Sequence, residues 1–181
     1  MRLVFYLILT SASLTAQNLH LEVNAREVEM EVFMLYIGEV SKYGDITYDL
    51  YDLSAQLSFD LPYTSSMVLG VDSISQVLSS FEGVFDPLQG MYWTWQNGYI
   101  AVKMEGKYLG EEFVYHLGGF REPFVCYHII EFAEHSRLTI DLDAFFESLP
   151  SDISKHIMSP GSEAKTVFDT FVSNVLLDWT S

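Results

Sequence analysis

Cysteine is all but missing from this chain: Cys126 stands alone among 181 residues. An intramolecular disulfide is therefore excluded, as is a zinc site of the Cys₄ or Cys₂His₂ kind. Its setting, Phe124-Val-Cys-Tyr-His-Ile-Ile130, assigns Cys126 the part of a small buried hydrophobe. Basic residues are also scarce, with 9 Lys plus Arg against 25 Asp plus Glu and a formal net charge of -16. A field of that sign repels nucleic acid and anionic lipid and suits cations or basic partners. Acidity by itself selects no ligand, since it also keeps a protein soluble. Past the N-terminus no run is long and apolar enough for a membrane span. Internal repeats, low-complexity tracts and linkers are absent too. A Gly-x-Ser-x-Gly nucleophile frame is missing, which disfavours a hydrolase. The adjacent acids Glu111 and Glu112 would point to opposite faces of a strand, so they share no site. The expectation is a binding protein and not an enzyme.

What is present is core material. Hydrophobic residues make up 49% of the chain and aromatics 15%, enough for one packed domain of this length. The N-terminus carries its own pattern. Arg2 precedes the short apolar run Leu3–Leu9, and Ser13-Leu-Thr-Ala16 supplies small residues before Gln17. That order reads as a secretory signal peptide over residues 1–16, cut after Ala16, with a single domain over 17–181. The protein is accordingly expected to be exported, to a periplasm or to the outside.

Along the domain the dominant period is two. Val28, Met30, Val32, Met34 and Tyr36 alternate with Glu27, Glu29 and Glu31, the pattern of a half-buried strand with an acidic start to its outer face. Segments 18–24, 47–51, 55–60, 66–71, 98–105, 112–117, 124–132 and 137–142 also read as strands, separated by Gly, Asp, Pro and Ser clusters. Short strands with frequent turns predict an all-β fold, an antiparallel β-sandwich. Toward the end the period changes. Ala164, Val167, Phe168, Phe171, Val172 and Val175 share one face at helical spacing, so a C-terminal amphipathic helix over 162–176 should pack on the sheet. Pro160-Gly161 punctuates its start and Ser162 is its expected N-cap. A shorter helical turn is expected near 142–148.

Three features stand out chemically. The segment Asp86–Tyr99 packs Trp93, Trp95, two tyrosines and Met91 into a loop that leads into a strand. Such aromatic density also suits plain core packing. Val114-Tyr-His-Leu-Gly-Gly119 sets His116 near a strand end, followed by glycines that permit close backbone approach. His156-Ile-Met158 places a histidine and a methionine in the loop before the last helix. Imidazole suits copper in either oxidation state and a thioether favours Cu(I). Those side chains are ligands only where the fold makes them converge.

The order Leu69-Gly-Val-Asp-Ser73, Asp86-Pro87, Gly90-Met-Tyr-Trp-Thr-Trp95, Gly98-Tyr99, Glu105-Gly106, His116-Leu-Gly-Gly-Phe120 and Ser159-Pro-Gly161 closely resembles the MbnP-like family. The resemblance covers essentially the whole domain and is strongest over residues 69–120. It implies an exported β-rich copper-binding protein, paired with a di-haem cytochrome of the peroxidase type (MbnH-like). It further implies that this partner oxidises a tryptophan to kynurenine, which joins histidines around copper. Carried onto this chain, Trp93 and Trp95 are the candidates for oxidation and His116 is the best-matched ligand. Kynurenine's aromatic amine offers a nitrogen donor atom, whereas the indole N–H only donates a hydrogen bond. Asn24 stands where the family pattern has a histidine at the end of the first strand, and His20 lies on the same strand face by parity. The alternative is a metal-free β-sandwich binding or surface module that keeps the scaffold.

Overall fold

The computed structural model describes residues 19–54, 56–61, 66–131 and 136–179. The expected signal peptide lies outside them. In chain order the elements are β1 (Leu19–Asn24), β2 (Val28–Val40), β3 (Ile46–Asp52), β4 (Ser58–Leu61) and β5 (Ser66–Gly70). After them come α1 (Ser73–Leu78), two 3₁₀ turns (Gly83–Phe85 and Pro87–Gln89), β6 (Tyr92–Thr94), β7 (Gly98–Tyr108) and β8 (Glu111–Gly118). The chain closes with β9 (Tyr127–Glu131), β10 (Ser136–Asp141), α2 (Leu142–Ser148), β11 (His156–Ile157), α3 (Ser162–Ser173) and β12 (Val175–Trp179).

Two sheets form the sandwich among the described residues. The smaller runs β12-β10-β1-β4, and the larger runs β11-β8-β7-β2-β5-β9 with β3 and β6 attached to β2 and β7. Most pairings are antiparallel, as expected, but β1 joins β10 and β11 joins β8 in parallel. Between the sheets the core holds Leu21, Phe33, Leu35, Val102, Leu117 and Ile140, all essentially inaccessible. Each such side chain contributes roughly 1.5–3 kcal/mol by leaving water.

The long strand β2 shows why simple alternation misreads this chain. A bulge between Met30 and Val32 reverses the side-chain parity. Val28 and Met30 face the core before it, and Phe33, Leu35 and Ile37 face the core after it. Met34 and Tyr36, expected on the core face, lie on the outer one. That outer face is not wet. Tyr36, Tyr48, Val68, Val71, Met91, Tyr99 and Ile100 form a second buried cluster there, beneath the lobe that runs from α1 to β6. Three phenols pin the lobe down: Tyr36 donates to the Val84 carbonyl (2.7 Å), Tyr99 to the Phe85 carbonyl (2.9 Å) and Tyr48 to Asp72 (2.8 Å). Asp72 also caps α1, accepting from the amides of Ile74 and Ser75.

At the C-terminus the amphipathic helix packs as its spacing requires, burying Ala164, Val167, Phe168 and Phe171. Phe171 meets Phe33 edge-on at 6.2 Å between ring centroids. Two details differ from expectation. Gly161 occupies the cap position without a side-chain bond, and Ser162 is the first helical residue. The helix also stops at Ser173, because the Asn174 side chain turns back to the Thr170 carbonyl (2.8 Å) and the Val-Leu-Leu run beyond it pairs with β10. β-Branched and apolar residues there gain more from closing the small sheet than from another helical turn.

Candidate metal centre on the outer face of the larger sheet

β7 and β8 are joined by a tight turn in which Leu109 and Gly110 both have positive φ (51° and 81°), the signature of a two-residue hairpin loop. The hairpin fixes a register that sets His116 directly opposite Lys103, with Glu105 opposite Val114. These side chains all face outward, on the same side as the Tyr36 cluster. His116 Nε2 lies 2.8 Å from Glu105 Oε1, and Lys103 Nζ lies 3.5 Å from that same oxygen. His116 is 7% exposed. Burial lowers its pKa from the ordinary histidine value and Lys103 adds to that, against the raising effect of the Glu105 hydrogen bond. The His116 hydrogen bond holds the Glu105 carboxyl below its usual range, with Lys103 assisting against desolvation. An ionised carboxylate can only accept, so Nε2 carries the proton and donates it to Glu105. In neutral His116 the lone pair therefore sits on Nδ1. A carboxylate that fixes the tautomer and orientation of a ring is the usual outer support of a metal-binding histidine.

Trp93 covers the neighbouring position. Gly118 is two residues from His116 on the same face of β8, and a Cβ there would fall 2.9 Å from Trp93 Cζ3 and 2.5 Å from the Tyr99 carbonyl oxygen. Glycine is what lets the indole lie flush on the strand. Trp93 Nε1 is buried and has no hydrogen-bond partner among the described residues. An orphaned buried donor costs about 1–3 kcal/mol, so this ring is held at a price in stability. Trp95, by contrast, sits in the turn beyond β6 and is 75% exposed. It is not a core residue.

The other expected ligands divide between the two faces of the molecule. His156 pairs in parallel with Val114, while the next residue, Ile157, pairs with Tyr115 and enters the core. His156 thus stands on the outer face of β11, next to the strand that carries His116. Met158, 59% exposed, follows the last paired position of β11. His20 is elsewhere. It alternates with buried Leu19 and Leu21 on β1, so it faces away from the core on the smaller sheet, where its Nδ1 is 3.1 Å from Asp60. Asn24, on that strand's outer face too, pairs with Asp141. The core separates both from His116. Among the described residues no three His, Cys, Asp or Glu side chains gather into a ready metal cage.

Glu105 and Lys103 were not singled out as site residues in the sequence. The available signal was their alternation in β7 together with the hairpin register, which needs the Leu109-Gly110 turn to be recognised first. The neighbouring Gly106 has a separate reason: a Cβ there would sit 2.2 Å from the Glu29 carbonyl, where β2 begins its bulge.

A two-sheet sandwich with a lobe over one outer face, and a carboxylate-supported histidine beside a tryptophan, describes an all-β protein with a candidate ligand site. The MbnP family model matches residues 17–161, and the chain belongs to the MbnP family. Among solved structures, MbnP from Methylosinus trichosporium is similar at 14% identity and a TM-score of 0.44, with 72% of this chain and 77% of that one covered. No curated protein matches the sequence.

Proposed function

We propose that this protein is an exported copper-binding protein and not a catalyst, with its site on the outer face of β8. The observation that carries the reading is the Glu105–His116 pair, which leaves a neutral imidazole with its Nδ1 lone pair unused by any described residue. His116 Nδ1 and the Met158 thioether are the donors that would hold the metal, with His156 on the same face. That soft set suits Cu(I). Trp93 is the better candidate for conversion to kynurenine, since it lies on the His116 strand while Trp95 points to solvent. Ring opening would replace an orphaned donor by an amine able to bind metal. An MbnH-like di-haem cytochrome is the partner that would supply the oxidation. The N-terminal charge, apolar run and small residues support export. His20 has no part in this site.

The test is a copper titration of the mature protein under reducing conditions, with an intact mass taken after co-expression with the cytochrome. The expected result is one tightly held copper and the mass of a ring-opened tryptophan, localised to Trp93 by peptide mapping. His116→Ala should release copper while the melting curve keeps its cooperativity. Failure to retain copper with both tryptophans unmodified would favour a metal-free binding module, the reading that the lack of a three-residue cage among the described residues supports.

A further inference from the structure

On its other face β8 borders a cavity, independent of the copper reading. Tyr115, between Val114 and His116, turns into the sandwich and is 2% exposed. It lines a half-open cavity of about 350 Å³ at the rim of the core, between the β7–β8 hairpin, α2 and the 149–155 segment. The cavity's inner wall is an aromatic ladder. Tyr108 stacks on Phe146 at 4.6 Å and 14°, Phe146 meets Phe113 at 4.7 Å, and Phe113 stacks on Tyr115 at 5.5 Å. Leu149 and Ile153 complete the apolar lining, and the Lys155–Glu111 ion pair stands at the mouth.

The Tyr115 hydroxyl distinguishes this space from a packing defect. Tyr36, Tyr48 and Tyr99 are buried too, and each donates to a carbonyl or carboxylate. Tyr115 has no such partner among the described residues, and desolvation alone pushes its phenol up to about 12. Among the described residues Trp93 Nε1 is the fully enclosed side-chain donor without a partner, so the Tyr115 hydroxyl is not sealed in the core and keeps access to the cavity. Here the donor borders a space of ligand size with aromatic walls.

The geometry points to this cavity as a binding site for a small planar aromatic molecule that carries a hydrogen-bond acceptor, its ring packed against the exposed edges of the aromatic ladder and its acceptor facing Tyr115. An acyl chain would fill the same volume, but it would gain no edge contact of the kind aromatic rings make with one another. The acceptor requirement follows from the phenol, which stays un-ionised at neutral pH and so has a proton to donate.

The experiment is calorimetric titration of the full-length mature protein with 2-naphthoate, alongside decanoate. 2-Naphthoate should bind with one site, and decanoate more weakly. Tyr115→Phe, which keeps the ring and the fold, should weaken 2-naphthoate by roughly three- to tenfold, the worth of one hydrogen bond. Ile153→Trp should fill the cavity and abolish binding with the thermal melt retained. Absence of 2-naphthoate binding to the wild type would overturn the proposal, as would stronger binding of decanoate. Tyr115→Phe with unchanged affinity would remove the acceptor from it, and unchanged binding by a folded Ile153→Trp would move the ligand elsewhere.

Discussion

At the scale of single residues, the decisive contact is 2.8 Å long, between Glu105 and His116. Its role is orientation, and orientation has a measurable consequence. Glu105→Gln keeps an acceptor near Nε2 but removes the charge that favours one tautomer. Copper affinity should fall by about 10-fold or more, the usual effect of losing such outer support, while circular dichroism stays unchanged. Equal affinities in a competition titration would mean that Glu105 does not orient the ring. Trp93 makes a different prediction. Trp93→Phe loses ring contacts over Gly118 but also removes an unsatisfied buried N–H. The two effects are of similar size, so stability in urea should change by less than about 1 kcal/mol. Trp93→Ala lacks the compensation and should cost about 3 kcal/mol or more.

At the scale of elements, α2 is tied to the β1–β2 turn through one carboxylate. Asp143, 5% exposed in the first turn of α2, accepts from the Arg26 and Glu27 amides at 3.0 and 2.8 Å and from the Arg26 guanidinium at 3.2 Å. Burial alone would raise its pKa from 3.8, but these amides and the Arg26 charge outweigh burial and hold it lower. A depressed carboxyl contributes stability that is complete above the unfolded value and is lost as pH falls through the folded one. Asp143→Asn should therefore cost about 1.5–3 kcal/mol near neutrality. The difference from wild type should narrow in acid, below about pH 4, as denaturant titrations at several pH values would show. A constant difference down to acid would place the effect in packing instead.

These elements were legible in the sequence to different degrees. Period two located most of the strands, and the three-and-four spacing of Ala164, Val167, Phe168 and Phe171 located α3. What alternation could not reveal was the bulge at Met30–Val32, because a bulge adds a residue without changing composition. That extra residue turns Tyr36 outward, where it anchors a lobe whose own elements are three to six residues long, too short for any periodicity to register. The relative placement of the candidate side chains was legible in part. His116 and His156 come onto neighbouring strands of one sheet because β11 pairs in parallel with β8, a pairing two residues long that leaves no sequence mark. His20 lies apart from them because β1 belongs to the other sheet.

At the scale of the whole molecule, a core of this size carries the fold without any cross-link. Cys126 is 1% exposed, and burial pushes its thiol up to about 12. Iodoacetamide should thus label it only as fast as the native state opens, and complete labelling should coincide with the unfolding transition in urea. A reducing agent should leave the melting temperature where it is. Rapid labelling of the native protein would show that the β5–β9 region opens on its own. The same scale holds the lobe above Trp93, which exposes Ile74, Val77, Leu78, Leu88 and Trp95 beside acidic Glu82 and Asp86.

The order of the smaller sheet carries a consequence in time. β1 lies between β10 and β4, so the first described strand hydrogen-bonds a strand that begins more than a hundred residues later. A growing chain holds β1 without its parallel neighbour until residue 141 has been made, and β10 then waits for β12. Such long-range closure is slow, because the entropy of gathering distant segments is lost before any contact returns it. Completion of the smaller sheet is therefore a late event, in which β1 and β4, able to pair early, wait for β10 and β12 to arrive.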